Sequence, residues 1–184
     1  MFARLFPSFH KKKQAYELYG KLVGQARNPV FYEQLAVADT IDGRFDMILL
    51  HLFLVDRRLE REGEDHQKAR RFIQEALIAD MDRSLRELGV GDMSVGKEVK
   101  KMGAAWLGRV KAYTAAIAED APQSSLSEVI AKNVYRREDA EFANCLASYA
   151  LQTLQKLASY PIADVLESRF DFPEVAVVKD NSND

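Results

Sequence analysis

Gly91, Gly96 and Lys97 stand at the spacing Gly-x-x-x-x-Gly-Lys. A phosphate-binding loop uses that spacing to offer backbone N–H groups and one lysine to a nucleotide. The next position should carry a Ser or Thr hydroxyl for magnesium; here it is Glu98, whose charge repels phosphate. The loop must also follow a buried strand, whereas Asp80 to Leu88 is charged, with leucines at helical spacing. A helix, a glycine connector and a second helix account better for these residues. Gly89 fits the left-handed position after a helix, and Ser94 fits the cap of the next one.

Other catalytic chemistry finds no complete set of residues. A carboxylate-bridged metal pair in a helical bundle needs Glu three residues before His, and His10, His51 and His66 all lack it. His51 is expected as a hydrogen-bonded core histidine. The single cysteine, Cys145, excludes a disulfide within the chain, a multi-cysteine zinc site and the paired cysteines of a typical haem attachment. Gly-x-Ser-x-Gly does not occur, and acids such as Glu60 and Glu62 belong to a charged helix face. The sequence therefore predicts a non-enzyme without cofactor or metal. Lys11 to Lys13, and Lys97, Lys100 and Lys101 on one side of a helix, fit solvated surface, ribosomal RNA or anionic lipid headgroups.

The elements that position these residues read as helices throughout. With 47% hydrophobic and 29% charged residues and a net charge of −2, the 184-residue chain is globular and has no global attraction to nucleic acid. The longest apolar run, Met47 to Val55, is far short of the roughly 18 residues of a membrane span. Apolar stripes predict helices over Lys11 to Arg27, Pro29 to Ala38, Arg44 to Arg61, His66 to Leu88 and Val95 to Ile117. Further helices are expected from Ser125, capped through Glu128, to Arg137, and from Glu138 to Tyr160, with a turn or two over Ile162 to Phe170. The expectation is an all-α, single-domain bundle of roughly six to eight helices. Residues 1–10 form an aromatic and basic leading segment, 11–170 the helical domain and 171–184 a disordered tail. Gly20 and Gly24, and the Gly and Ala positions of the Val95 helix, are expected to admit neighbouring helices closely, and Trp106 to lie in the core.

Three segments carry a resemblance: Asp39-Thr-Ile-Asp-Gly-Arg-Phe-Asp46; Leu49-Leu-His-Leu-Phe-Leu54 with Arg57-Arg-Leu59; and Asp82-Arg-Ser-Leu-Arg-Glu-Leu-Gly-Val-Gly-Asp-Met-Ser-Val-Gly-Lys97 with Lys100-Lys-Met102. In combination they resemble the ubiquinol-cytochrome c chaperone family, clearly from Tyr16 to Tyr113 and weakly in the later helices. The resemblance implies a non-enzymatic assembly factor for respiratory complex III whose client is newly made cytochrome b, protected until haem is inserted. It also implies a small helical partner and work near the ribosomal exit tunnel or a membrane surface. Because the chain starts almost directly at the family region, the expected setting is the bacterial cytoplasm, peripheral to the inner membrane. Phe31, Tyr32, Leu35, Met93, Val95 and Met102 flank the short second helix and the glycine connector. They are the expected lining of a client surface, with Lys97, Lys100 and Lys101 as its basic border. A ribosome- or RNA-binding helical module is the alternative, and a nucleotide-binding protein a more distant one.

Overall fold

The computed structural model describes residues 6–137 and 141–176, and among them there is no strand. The helices are α1 (Phe6–Ala26), α2 (Pro29–Glu33), α3 (Ile41–Glu60), α4 (Gln67–Glu87), α5 (Asp92–Ala116), α6 (Ser125–Ile130), α7 (Ala143–Ser159) and α8 (Ile162–Leu166). A 3-10 turn, Glu64–His66, leads into α4, and a π-helical turn, Ala131–Tyr135, prolongs α6. The all-helical bundle expected from the stripes is the fold observed.

The centre is α3, buried without a break from Asp46 to Asp56 and packed by α1, α4, α5 and α7. A helix enclosed on all sides must satisfy its polar side chains inside the protein. Asp56 accepts two bonds from the Arg70 guanidinium of α4, at 2.9 and 2.8 Å. Arg58 donates to the Leu157 and Tyr160 carbonyls at 2.9 and 3.1 Å, satisfying the end of α7. His51 lies against the Met47 carbonyl at 2.8 Å and the Tyr149 hydroxyl at 2.9 Å. A carbonyl only accepts, so Nδ1 carries the proton and Nε2 takes the Tyr149 O–H. Gln25 of α1 donates to the same hydroxyl at 3.0 Å, and the rings of Phe31 and Phe172 pack on the imidazole.

Several boundaries differ from the periodicity, each for a physical reason. Phe6 to His10 belong to α1 rather than to a separate leading segment. The second helix stops at Glu33, not Ala38, because Ala36 turns left-handed (φ 51°) and so brings both Leu35 and Val37 into the core. The cap of α5 is Gly91 rather than Ser94. α6 starts at Ser125 itself, with Ser124 as its cap and no side-chain capping bond, so the Ser125 and Glu128 box does not form. Residues 171–176 pack instead of trailing away: Phe172 and Val175 lie on the core, and the Phe172 carbonyl accepts from Lys156 at 3.2 Å. The tail from 177 onward and the start of the Glu138 helix lie outside the described residues.

In α5 the inward stripe is as expected, with Val95, Trp106 and Tyr113 buried and Met102 and Val110 half-buried against the core. Of its small residues, Ala116 is buried in the core, but the glycines do not meet a neighbour. A Cβ on Gly103 or Gly108 finds open space, as it does on Gly20 and Gly24 of α1. These glycines mark uncovered faces rather than close helix packing.

Burial without a carboxylate partner lowers His51 from 6.5 to about 4. The unfolded chain takes up this proton near pH 6.5 and the folded chain near pH 4, so stability falls as pH drops through that window. The slope reaches at most about 1.4 kcal/mol per pH unit. Urea unfolding should show the protein losing about 2 kcal/mol between pH 6.5 and 5 through this group. His51→Gln, which retains a donor and an acceptor, should abolish that part of the slope. An undiminished slope in the variant would assign the acid sensitivity elsewhere.

Candidate functional site

The first turns of α3 emerge from the enclosed core and face the last turns of α4. Thr40 sets the register: its Oγ1 accepts from the Gly43 N–H at 3.1 Å, fixing Ile41 as the first helical residue. Ile41, Phe45 and Ile48 then share one face, as do Leu77 and Met81 of α4 with Leu88, the residue that caps it. Between them lies an apolar groove of about 250 Å³ with Met102 of α5 in its wall. Its mouth carries two large apolar side chains in solvent, Ile41 at 61% exposure and Leu88 at 55%.

Charge borders the groove on two sides. Arg27 and Arg44 stand on the α1 and α3 side, Asp80 and Glu87 on α4. Tyr19 of α1 donates to Asp80 at 2.9 Å and so ties the first helix to the fourth. Burial, reinforced by that carboxylate, pushes the Tyr19 hydroxyl pKa far up, and it remains a neutral donor at any physiological pH.

Below Leu88 the chain makes a left-handed exit. Gly89 has φ 80°, its N–H bonds to the Arg86 carbonyl at 2.9 Å, and Val90 N–H reaches the Leu85 carbonyl at 3.0 Å. This paired closure of α4 is the reason for the glycine there. The following Asp92 to Lys97 are the opening turns of α5, not a loop after a strand, so the phosphate-loop geometry is not formed.

The expected lining residues separate on inspection. Phe31, Leu35 and Val95 are buried in the core, where an intact domain cannot offer them to a client. Their apolar character completes the interior instead. Tyr32 is half-buried, its hydroxyl donating to the Ala26 carbonyl at 2.7 Å. Met93 projects fully into solvent. Of the six, Met102 alone lines the groove. Lys97 and Lys100 point to solvent, and Lys101 is held by Glu98 at 2.7 Å. Ile41, Phe45, Leu77, Met81 and Leu88 were not singled out by sequence reasoning, and the available signal was Ile41 directly after a Thr cap at the start of a stripe.

Next to the groove, the segment from Asp39 to Asp46 performs structural work. Asp39 accepts from Arg44 at 2.5 Å. Asp46, nearly inaccessible, accepts from Arg109 of α5 at 2.7 Å and from Arg136 at 3.0 Å. Burial raises the Asp46 carboxyl above its ordinary range against the pull of both guanidiniums. Arg136 itself sits left-handed (φ 58°) at the end of the π turn and also donates to Asp42 at 3.1 Å. A cleft of about 330 Å³, lined by polar and apolar groups alike, lies between this segment and the π turn.

These features define an all-helical domain with an open apolar groove and, among the described residues, no cluster suited to a metal and no helix long and apolar enough to cross a membrane. The model of the ubiquinol-cytochrome C chaperone family matches residues 33–172, and the chain belongs to that family. Membership makes it a chaperone of complex III assembly. It is similar to the crystal structure of the Cbp3 homolog from Brucella abortus, with a TM-score of 0.80 and 32% identity over 95% of this chain and 98% of that one. Comparison with curated proteins found no match.

Gly43 gives a direct test of the groove's foundation. A Cβ there would lie 2.0 Å from the Ala38 carbonyl oxygen, a backbone atom that cannot step aside. Gly43→Ala should lower stability by about 1–3 kcal/mol. Gly20→Ala, on an exposed helix face with open space, should raise it by about 0.5–1 kcal/mol. Chemical denaturation of the two variants should shift in opposite directions; a shared direction would remove the Ala38 contact from the account.

Proposed function

We propose that this protein holds newly made cytochrome b during assembly of complex III, and that the groove between α3 and α4 receives an apolar segment of this client. The observation that carries the reading is the pair Ile41 and Leu88, large apolar side chains left in solvent at the mouth of an apolar groove. An unassembled membrane protein presents apolar helices that need a reversible cover. A groove of about 250 Å³ accepts a few side chains and not a whole helix, which favours holding that is weak enough to release without nucleotide hydrolysis. The unlike charges on its two borders orient the polar ends of the segment.

Photo-crosslinkers at Ile41, Leu88 and Met102 should capture cytochrome b in cells, while one at the exposed Ser148 of α7 should not. Ile41→Asp combined with Leu88→Asp should lower complex III while leaving the thermal midpoint within a few degrees of the parent. Client adducts at Ser148 and none at the groove would move the client site to another face.

A further inference from the structure

We infer that the outward face of α5 docks on an anionic membrane surface. Met93, Lys97, Lys100, Ala104, Leu107 and Lys111 follow one another at steps of four, three, four, three and four residues. That spacing keeps all six on one side of the helix. All six are exposed, Met93 completely and Leu107 at 68%. They lie opposite the buried stripe of Val95, Trp106 and Tyr113, so this helix carries two opposed patterned faces.

The charge on the outer face has one sign. Among the described residues, no carboxylate pairs with Lys97, Lys100 or Lys111, and the nearby Glu98 is engaged with Lys101. The chain as a whole is slightly acidic, at −2, so this positive strip is local and uncompensated. Between the lysines, Ala104 and Gly108 leave the surface low, and a Cβ on Gly108 would touch nothing.

The composition selects a lipid surface over the other polyanions and partners. Protein interfaces centre on Trp, Tyr and Arg and are depleted of Lys. Nucleic-acid surfaces add aromatic or guanidinium stacking. This face has neither. Flexible ammonium groups suit a diffuse headgroup layer, and Met93 and Leu107 add two apolar points about 21 Å apart along the helix, from 1.5 Å per residue. Each lysine at an anionic surface strengthens partitioning roughly fivefold, so three account for about a hundredfold. Docking of this size is reversible and weakens as salt screens it. It stands independently of the client groove.

The test is flotation of the full chain with vesicles of phosphatidylglycerol and phosphatidylethanolamine, or of phosphatidylcholine alone, at low and physiological salt. The protein should float with the anionic vesicles only, and less at higher salt. Lys97→Glu, Lys100→Glu and Lys111→Glu together should reduce partitioning by at least about a hundredfold, and Met93→Ser with Leu107→Ser should reduce it measurably at unchanged charge. Arg61→Glu, Lys68→Glu and Lys132→Glu, a charge-matched change on other elements, should retain most of it. Thermal midpoints of all variants should match the parent, since every substituted residue is exposed. Equal flotation with phosphatidylcholine, or equal loss in the two triple variants, overturns the proposal. Retention of ribosomal RNA that disappears in the α5 triple variant, with no flotation, overturns it in favour of nucleic acid.

Discussion

The enclosure of α3 is the constraint from which the rest of the arrangement follows. Three turns with no solvent-facing side leave Asp46, His51, Asp56 and Arg58 without water, and each must be met by protein. Four different places answer: Arg109 of α5 and Arg136 after the π turn, Tyr149 of α7 with Gln25 of α1, Arg70 of α4, and the carbonyl end of α7. Apolar burial pulls the helices onto α3, but these directional contacts fix which helix lies where. The groove is the complement of this enclosure. It opens at the first turns of α3, where Ile41 is still exposed, and Met102 of α5 forms part of its wall.

This explains why most of the segment from Asp39 to Asp46, which carries much of the family resemblance, has structural duties, with Ile41 and Phe45 left to line the groove. Thr40 caps, Gly43 admits the Ala38 carbonyl, Asp39 holds Arg44 and Asp46 anchors two arginines. A short run in which almost every residue has a backbone or ionic duty is strongly specified by the fold alone. The same duties present Ile41 and Phe45 outward, because a helix start fixed by a cap and a close glycine contact leaves its first apolar positions no choice of direction. The motif serves the groove by setting its angle.

The helices were legible in the sequence because their stripes run at the helical period, and Gly89 was legible because only a left-handed exit places glycine there. What stayed hidden has a common cause. Periodicity tells which residues share a face, but not whether another element covers that face. Phe31, Leu35 and Val95 share stripes that α3 and its neighbours cover, while Leu77, Met81 and Leu88 share a stripe that is covered along part of its length and open at the end. Ile41 was hidden differently. It follows Asp39 and Thr40 and precedes Asp42 and Gly43, so local composition reads as connector although the cap makes it helix. Gly20 and Gly24 of α1 show the same limit, since Gly-x-x-x-Gly spacing is equally compatible with close packing and with open solvent, and here it is solvent.

The Gly89 to Gly91 connector takes its significance from what it joins. On one side Leu88 stands at the mouth of the groove; on the other Met93 begins the outward strip of α5. The left-handed closure at Gly89 reverses the chain within three residues, so the groove mouth and the start of the basic strip lie at the same end of the α4 and α5 pair. The turn fixes the two surfaces relative to one another: Met102 faces the groove from the inward side of α5 while Met93 and Lys97 stand on its outward side, so the groove and the strip are separate faces held at one end of the pair by a single short connector.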